Sequence, residues 1–200
     1  MMRIIYRKYI SLLILLGVCT GAKAQSTIQR WDDATLEYLA SYRTPSQTKC
    51  WLLVANTNTY VNIAVPAGLL TAGLIRHDHD MQQNALYIAS STATTVIANA
   101  LIKKIVKRPR PFISNMHLTA VYQPRSYSFP SGHSSSAFGT ATSLIRAYPK
   151  WYVIAPSVMW AGAVGYSRLY LGVHYPSDVS AGALLGTGTA FMLGFLRRGK

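Results

Sequence analysis

Three short clusters hold the side chains able to do chemistry. The first is Lys103-Lys104-Ile105-Val106-Lys107-Arg108-Pro109-Arg110-Pro111, a run of cations at the end of an apolar stretch. Taken alone it reads as basic residues closing a helix and anchoring it to lipid headgroups. The second is Phe129-Pro130-Ser131-Gly132-His133-Ser134-Ser135-Ser136, directly before another apolar run. Pro and Ser start helices well, Gly lets backbone N–H groups approach a ligand, and a helix N-terminus favours an anion, so this segment suits a phosphate with His133 at its rim. The third is Ser167-Arg168-Leu169-Tyr170-Leu171-Gly172-Val173-His174-Tyr175-Pro176-Ser177-Asp178. There Arg168 can take a phosphate bidentately, His174 offers a nucleophilic or basic nitrogen, and Asp178 can hold that imidazole by its other nitrogen.

Helices must position these clusters. Apolar stretches at 50–75, 85–106, 136–147, 152–166 and 179–196 are too long for strands and rich in Ala, Leu and small residues, which predicts an all-α fold. Half of the chain is hydrophobic and only 13% is charged, against about 25% charged in an ordinary soluble domain. The expectation is a multi-pass transmembrane helical bundle of about five to six spans. Asn56, Asn58, Asn62, Thr92, Thr94 and Thr95 would then face neighbouring helices rather than lipid. A soluble exported all-helical enzyme is the alternative, best supported by the shorter stretches 136–147 and 152–166. Residues 31–42 alternate Trp31, Leu36, Leu39 and Ala40 with Asp32, Asp33 and Glu37, the pattern of an amphipathic helix at a membrane surface.

The N-terminus has a basic stretch (Arg3, Arg7, Lys8), an apolar run over 10–18, and Ala22 and Ala24 flanking Lys23. This reads as a secretory signal peptide over 1–24, or as an uncleaved first membrane helix, followed by a single domain over 25–200. Cleavage leaves Cys50 without Cys19, so no intramolecular disulfide is expected in the mature chain.

Topology joins the clusters. The first ends one helix, the second begins the next, and the third follows that helix's return, so antiparallel neighbours bring all three to one end of the bundle. An exported N-terminus puts that end outside. Arg76, Arg146, Lys150, Arg197, Arg198 and Lys200 then fall on the inner side, as the positive-inside rule requires. The excess of 20 Lys+Arg over 6 Asp+Glu suits a polyanionic partner, whether nucleic acid, anionic headgroups or a phosphorylated substrate, and charge alone does not choose. His77-Asp78-His79-Asp80 has metal-ligand residue types, but adjacent residues in a short loop diverge, and topology sets them on the opposite side; the reading is a solvated loop.

The triple of patterns resembles the type 2 phosphatidic acid phosphatase superfamily: Lys-x6-Arg-Pro from Lys103 to Arg110-Pro111, Pro-Ser-Gly-His at 130–133, and Ser-Arg-x5-His-x3-Asp from Ser167-Arg168 through His174 to Asp178. The span 103–178 carries the resemblance; the N-terminal hundred residues share only helical character. It implies a bacterial membrane lipid phosphatase in the cytoplasmic (inner) membrane, with its active site at the outer membrane–water interface facing the periplasm. His174 would be the nucleophile, oriented by Asp178. His133 would act as general acid to the leaving oxygen and then as base toward water. Lys103, Arg110, Arg168, Ser131 and the Gly132 amide would hold the phosphoryl oxygens. No metal or other cofactor, no nucleic acid and no obligate protein partner is implied. The substrate would be undecaprenyl pyrophosphate, phosphatidylglycerol phosphate, phosphatidic acid or a lipid A phosphate, with residues 112–129, including His117 and Arg125, shaping the choice. Two rivals stand beside this reading: a soluble periplasmic acid phosphatase of the same superfamily, and a non-catalytic anionic-lipid-binding or transport protein.

Overall fold

The structure, a computed structural model, describes residues 27–197, so the expected signal segment 1–24 lies outside the described residues. The described residues are helical and contain no strand: α1 (27–41), α2 (Pro45–Ile75), α3 (His79–Val106), the one-turn α4 (Pro111–Ser114), α5 (Gly132–Ala147), α6 (Trp151–Tyr170), α7 (Pro176–Met192) and a closing 3₁₀ turn Gly194–Leu196.

All five long helices begin before the apolar stretch that announced them, because their caps are polar. Thr44 accepts the Gln47 N–H at 3.3 Å ahead of Pro45, and Asp78 accepts the Met81 N–H at 2.9 Å. The His77–Asp80 segment is therefore the α2–α3 turn and the cap of α3, at the opposite end of that helix from Lys103. Two boundaries differ from expectation. Helix α6 continues to Tyr170, so Ser167 and Arg168 ride on its last turn instead of in a connection. Helix α7 stops at Met192, short of 196.

Helix α5 is central, packing against α7, α6, α3 and α2. Its buried face is small and polar, with Ser134, Ser135, Ala137, Gly139, Thr140, Ala141 and Ser143. Small residues let backbones approach closely, which is how helices associate where burial of apolar surface supplies no drive. Gly186 of α7 shows the limit: a Cβ there would lie 2.1 Å from the Ser135 carbonyl oxygen and 2.6 Å from the Gly139 nitrogen, both backbone atoms. Gly186→Ala is expected to destabilise the bundle by about 1–3 kcal/mol by forcing α5 and α7 apart. Thermal unfolding in detergent measures this, and an unchanged midpoint would refute the packing argument.

Polarity is inverted relative to a water-soluble bundle. Inside, Asn58 donates to Ser136 Oγ at 3.0 Å, Thr140 donates to Asn62 Oδ1 at 2.8 Å, and the Thr92 and Thr140 hydroxyls pair at 2.7 Å. Outside, Ile75, Ile105, Met159 and Leu184 are each about three-quarters exposed. Large contiguous apolar surface belongs against lipid. Helix α2 and the stretch His79–Ser114 are each long and apolar enough to cross a membrane.

Helix α1 is docked on the bundle rather than merely lying at a surface. Leu36 is buried against Leu118 and Tyr175. Asp32, grouped with the polar face from sequence, is fully buried.

Candidate functional site

The three clusters meet where α3 ends and α5 and α7 begin. Ser131 caps α5 through its side chain, accepting from the Ser134 N–H at 3.4 Å and the Ser134 hydroxyl at 3.0 Å. Its own N–H donates to the Asp178 carbonyl at 3.0 Å, which ties the second cluster to the third. Asn99 of α3 holds the same segment, donating to the Pro130 carbonyl at 3.2 Å and to Ser135 Oγ at 2.8 Å. Gly132 opens α5 beside the Asn99 side chain, and His133 follows it, half-buried and under the positive charges of Arg168, Arg110 and Lys103.

His174 sits in the short link between α6 and α7. That link turns at Gly172, whose φ of +71° is a left-handed conformation that side chains disfavour. Pro176 occupies the first position of α7, and Asp178 closes its N-terminus by accepting the Tyr175 N–H at 3.0 Å. Asp178 Oδ2 also accepts the Ser128 hydroxyl, and Oδ1 accepts Arg108 at 2.8 Å. With Oδ2 so engaged, it lies 3.5 Å from His174 Nδ1, longer than a good hydrogen bond, and Nδ1 has no other partner among the described residues.

The opposite nitrogen is informative. Arg110 Nη1 lies 3.2 Å from His174 Nε2, and a guanidinium can only donate, so Nε2 accepts and the imidazole proton resides on Nδ1, toward Asp178. Burial pushes the His174 pKa down to about 3; Asp178 opposes this, and Arg110 and Arg168 reinforce it. The ring is thus neutral at physiological pH, with a lone pair at Nε2. Because the folded-state pKa lies below the ordinary imidazole value of about 6.5, the neutral ring favours the fold above that pH, and this contribution is lost as pH falls from there toward 3.

The cations are engaged to different degrees. Lys103 donates to the backbone carbonyls of Tyr127 and Ser128 and so pins the loop that precedes α5. Arg110, itself buried, donates to the Ser126 carbonyl at 2.6 Å, the Ser126 hydroxyl at 3.0 Å and the Val173 carbonyl at 2.6 Å. Arg168 is 1% exposed, bonded to the Tyr122 hydroxyl, and its Nε and Nη1 have no partner among the described residues. These two buried donors lie beside Arg110 on different edges of one guanidinium, and each can donate to an oxygen of an anion. His117 and Arg125 lie exposed on the loop above.

Sequence reasoning missed several contributors. The Lys-x6-Arg-Pro pattern selects Arg110 and passes over Arg108, yet Arg108 touches Asp178 directly. Asp32, Ser128, Ser126, Tyr122 and Asn99 belong to no short pattern. The one available signal was Asp32, an acid in a chain with six acidic residues in all.

Fold and site together define a helical membrane protein with a buried cluster of cations and histidines at one end. The profile of the PAP2 superfamily matches residues 84–197, more than half of the chain, and the protein belongs to that superfamily. Among curated relatives it is similar to an undecaprenyl-diphosphatase of Sulfolobus acidocaldarius, 36% identical over 103 residues covering 51% of this chain and 50% of that one. It is also similar to a lipid A 4'-phosphatase of Bacteroides thetaiotaomicron, 32% identical over 110 residues covering 50% and 49%. The chain thus spans about half the length of the curated relatives it matches. Among solved structures it resembles a transmembrane PAP2-type phosphatidylglycerolphosphate phosphatase of Bacillus subtilis, with a TM-score of 0.72, 25% identity, and coverage of 93% of this chain and 94% of that one. Aquifex aeolicus LpxE gives a TM-score of 0.63 at 28% identity, covering 80% and 92%.

Proposed function

We propose that this protein is a phosphatase that hydrolyses a membrane lipid phosphate or diphosphate through a phosphohistidine at His174. The observation that carries the reading is the buried Arg168, with Nε and Nη1 unpaired among the described residues, close to a neutral imidazole whose Nε2 lone pair faces Arg110. Burial and three cations hold the His133 pKa down to about 3, and a phosphate anion among those cations offsets their charge so that His133 takes up a proton with the substrate. Nε2, released as Arg110 turns to the phosphoryl oxygens, attacks phosphorus, the bond from phosphorus to the lipid oxygen breaks, and His133 gives that oxygen its proton. His133 then takes a proton from water, the water oxygen attacks phosphorus, and the N–P bond breaks to release phosphate. Arg168 and Arg110, with Lys103, Ser131 and the Gly132 amide, stabilise the equatorial oxygens; Asp178 steadies the imidazole as positive charge develops on it. Phosphoryl transfer needs mainly positioning and charge neutralisation, which fixed cations and a helix N-terminus supply.

Lipid is favoured over a small soluble phosphate by the apolar exterior and by a groove of about 580 Å³ between α2 and α3. Its lining includes Ile63, Leu70, Leu86 and Val96, and it reaches Ser136, one turn beyond His133. The phosphatases it resembles, for undecaprenyl diphosphate, lipid A and phosphatidylglycerolphosphate, point to the same substrate class. We place residues 25–200 as one domain following a signal segment, in the bacterial cytoplasmic membrane with the pocket facing outward.

The test is phosphate release by detergent-solubilised protein against a panel of lipid phosphates and a chromogenic small phosphate, with and without EDTA. Selective turnover of a lipid, unchanged by EDTA, is expected. Strict dependence on added divalent metal would overturn the mechanism, and release of active protein without detergent would favour the soluble rival.

A further inference from the structure

We infer that Arg108, braced by Asp32 of α1, is a positioning residue that holds Asp178 in register with His174, so that the N-terminal helix is part of the active site. Arg108 Nη1 donates to Asp178 Oδ1 at 2.8 Å and to Ser177 Oγ at 2.7 Å. Its Nη2 donates to Asp32 Oδ2 at 2.8 Å and to Gln29 Oε1 at 2.8 Å. Its guanidinium lies 4.0 Å over the Tyr175 ring. One planar cation therefore bridges two fully buried carboxylates, one from the N-terminal helix and one from the third motif. Asp32 completes the link by accepting the Ser177 N–H at 2.9 Å and the Ser177 hydroxyl, one residue from Asp178.

The need for such a brace follows from the charges around Asp178. Lys103 and Arg110, both at the phosphate-facing motifs, attract it electrostatically, and His174 faces it at 3.5 Å. A carboxylate facing cations on one side only would turn toward them and leave the imidazole. Arg108 supplies the opposing anchor from behind, on Oδ1, while Ser128 and the Tyr175 N–H hold Oδ2. Pro109 and Pro111 fix φ at their own positions and push the preceding arginines toward extended backbone, so the two cations of Arg-Pro-Arg-Pro serve different partners: Arg110 holds His174, and Arg108 holds Asp178.

This rests on the phosphatase reading, and the test separates the two. Arg108→Gln, Arg108→Lys, Asp32→Asn and the double variant are compared with wild type on whichever lipid phosphate the wild type hydrolyses; Lys104→Gln, at an exposed position, controls for loss of a cation. Arg108→Gln is expected to lower kcat about 100-fold with KM within about 3-fold, since misplacement of a reacting group costs turnover rather than binding. Arg108→Lys recovers part of the loss, because an ammonium pairs with one carboxylate but does not bridge two. Asp32→Asn lowers kcat about 10-fold, and the double variant is no worse than Arg108→Gln alone, as expected for residues acting through one contact. Inhibition by orthovanadate, which occupies the phosphoryl pocket, stays within about 3-fold throughout, and Lys104→Gln is unchanged. Should Arg108→Gln fail to fold, Arg108→Lys and Asp32→Asn carry the test. Wild-type turnover with kcat of these variants within about 3-fold of wild type, or a loss confined to KM, overturns the inference alone. Absence of wild-type turnover defeats the phosphatase reading and this inference together.

Discussion

His174→Ala abolishes phosphate release, by about 10⁴-fold or more, and abolishes the covalent phosphoenzyme with it. Three features of the geometry make His174, rather than His133, the residue that attacks phosphorus. It is 3% exposed where His133 is only half-buried, its proton is placed on Nδ1 by Arg110's contact with Nε2, and Asp178 stands on the Nδ1 side. Rapid acid-free quench of protein incubated with ³²P-labelled lipid phosphate measures the intermediate directly. The variant is expected to give none. His133→Ala is expected to lose turnover in a different way: with an aryl phosphate, whose leaving group needs no proton, the phosphoenzyme still forms and then persists, because the base that activates water is missing. A labelled phosphoenzyme in His174→Ala would reverse the assignment of the two histidines.

Arg168→Met eliminates activity while leaving the protein at least as stable as wild type. Removing a preorganised donor of developing charge costs about 10²–10³ in rate, and Arg168 offers two such donors, so a loss of 10³-fold or more is expected. Stability moves the other way. Nε and Nη1 are buried without a partner, and the neighbouring Arg110 carries the same charge. An unsatisfied buried cation destabilises a fold, and an apolar side chain of similar length removes that cost. The bonded partner that is lost, the Tyr122 hydroxyl, belongs to an exposed residue that water can satisfy. Thermal unfolding in detergent should show a midpoint equal to or above wild type, and phosphate release should be undetectable. A large drop in the midpoint would mean that Arg168 is a structural cation rather than the floor of an anion pocket.

Much of this was legible before any coordinates. Helical character, the inward-facing Asn58, Asn62, Thr92 and Thr95, and the convergence of three clusters at one end follow from periodicity and from the order of antiparallel helices, both local properties of the chain; Asn56, expected among the inward residues, is exposed. So do His133, His174, Arg110 and Arg168 as pocket residues, since each lies in a contiguous motif next to a helix end. The helix starts were less legible, because caps such as Thr44, Asp78 and Tyr175–Asp178 are polar and break the apolar pattern.

Only the tertiary structure decided how the site is braced. Asp32 and Arg108 are 76 residues apart, and Arg108 and Asp178 are 70 apart; no periodicity records a contact of that range. An acidic residue on an amphipathic helix looks solvent-facing until the surface that buries it is known. Likewise Lys103 appears in sequence only as a cation for phosphate, whereas folding also sets two of its three donors on the carbonyls of Tyr127 and Ser128. Residue types and spacing therefore determined which groups gather at the pocket. Which of them remain free to bind an anion was decided by long-range hydrogen bonding, because a buried donor is available to a ligand only when the fold has left it unpaired.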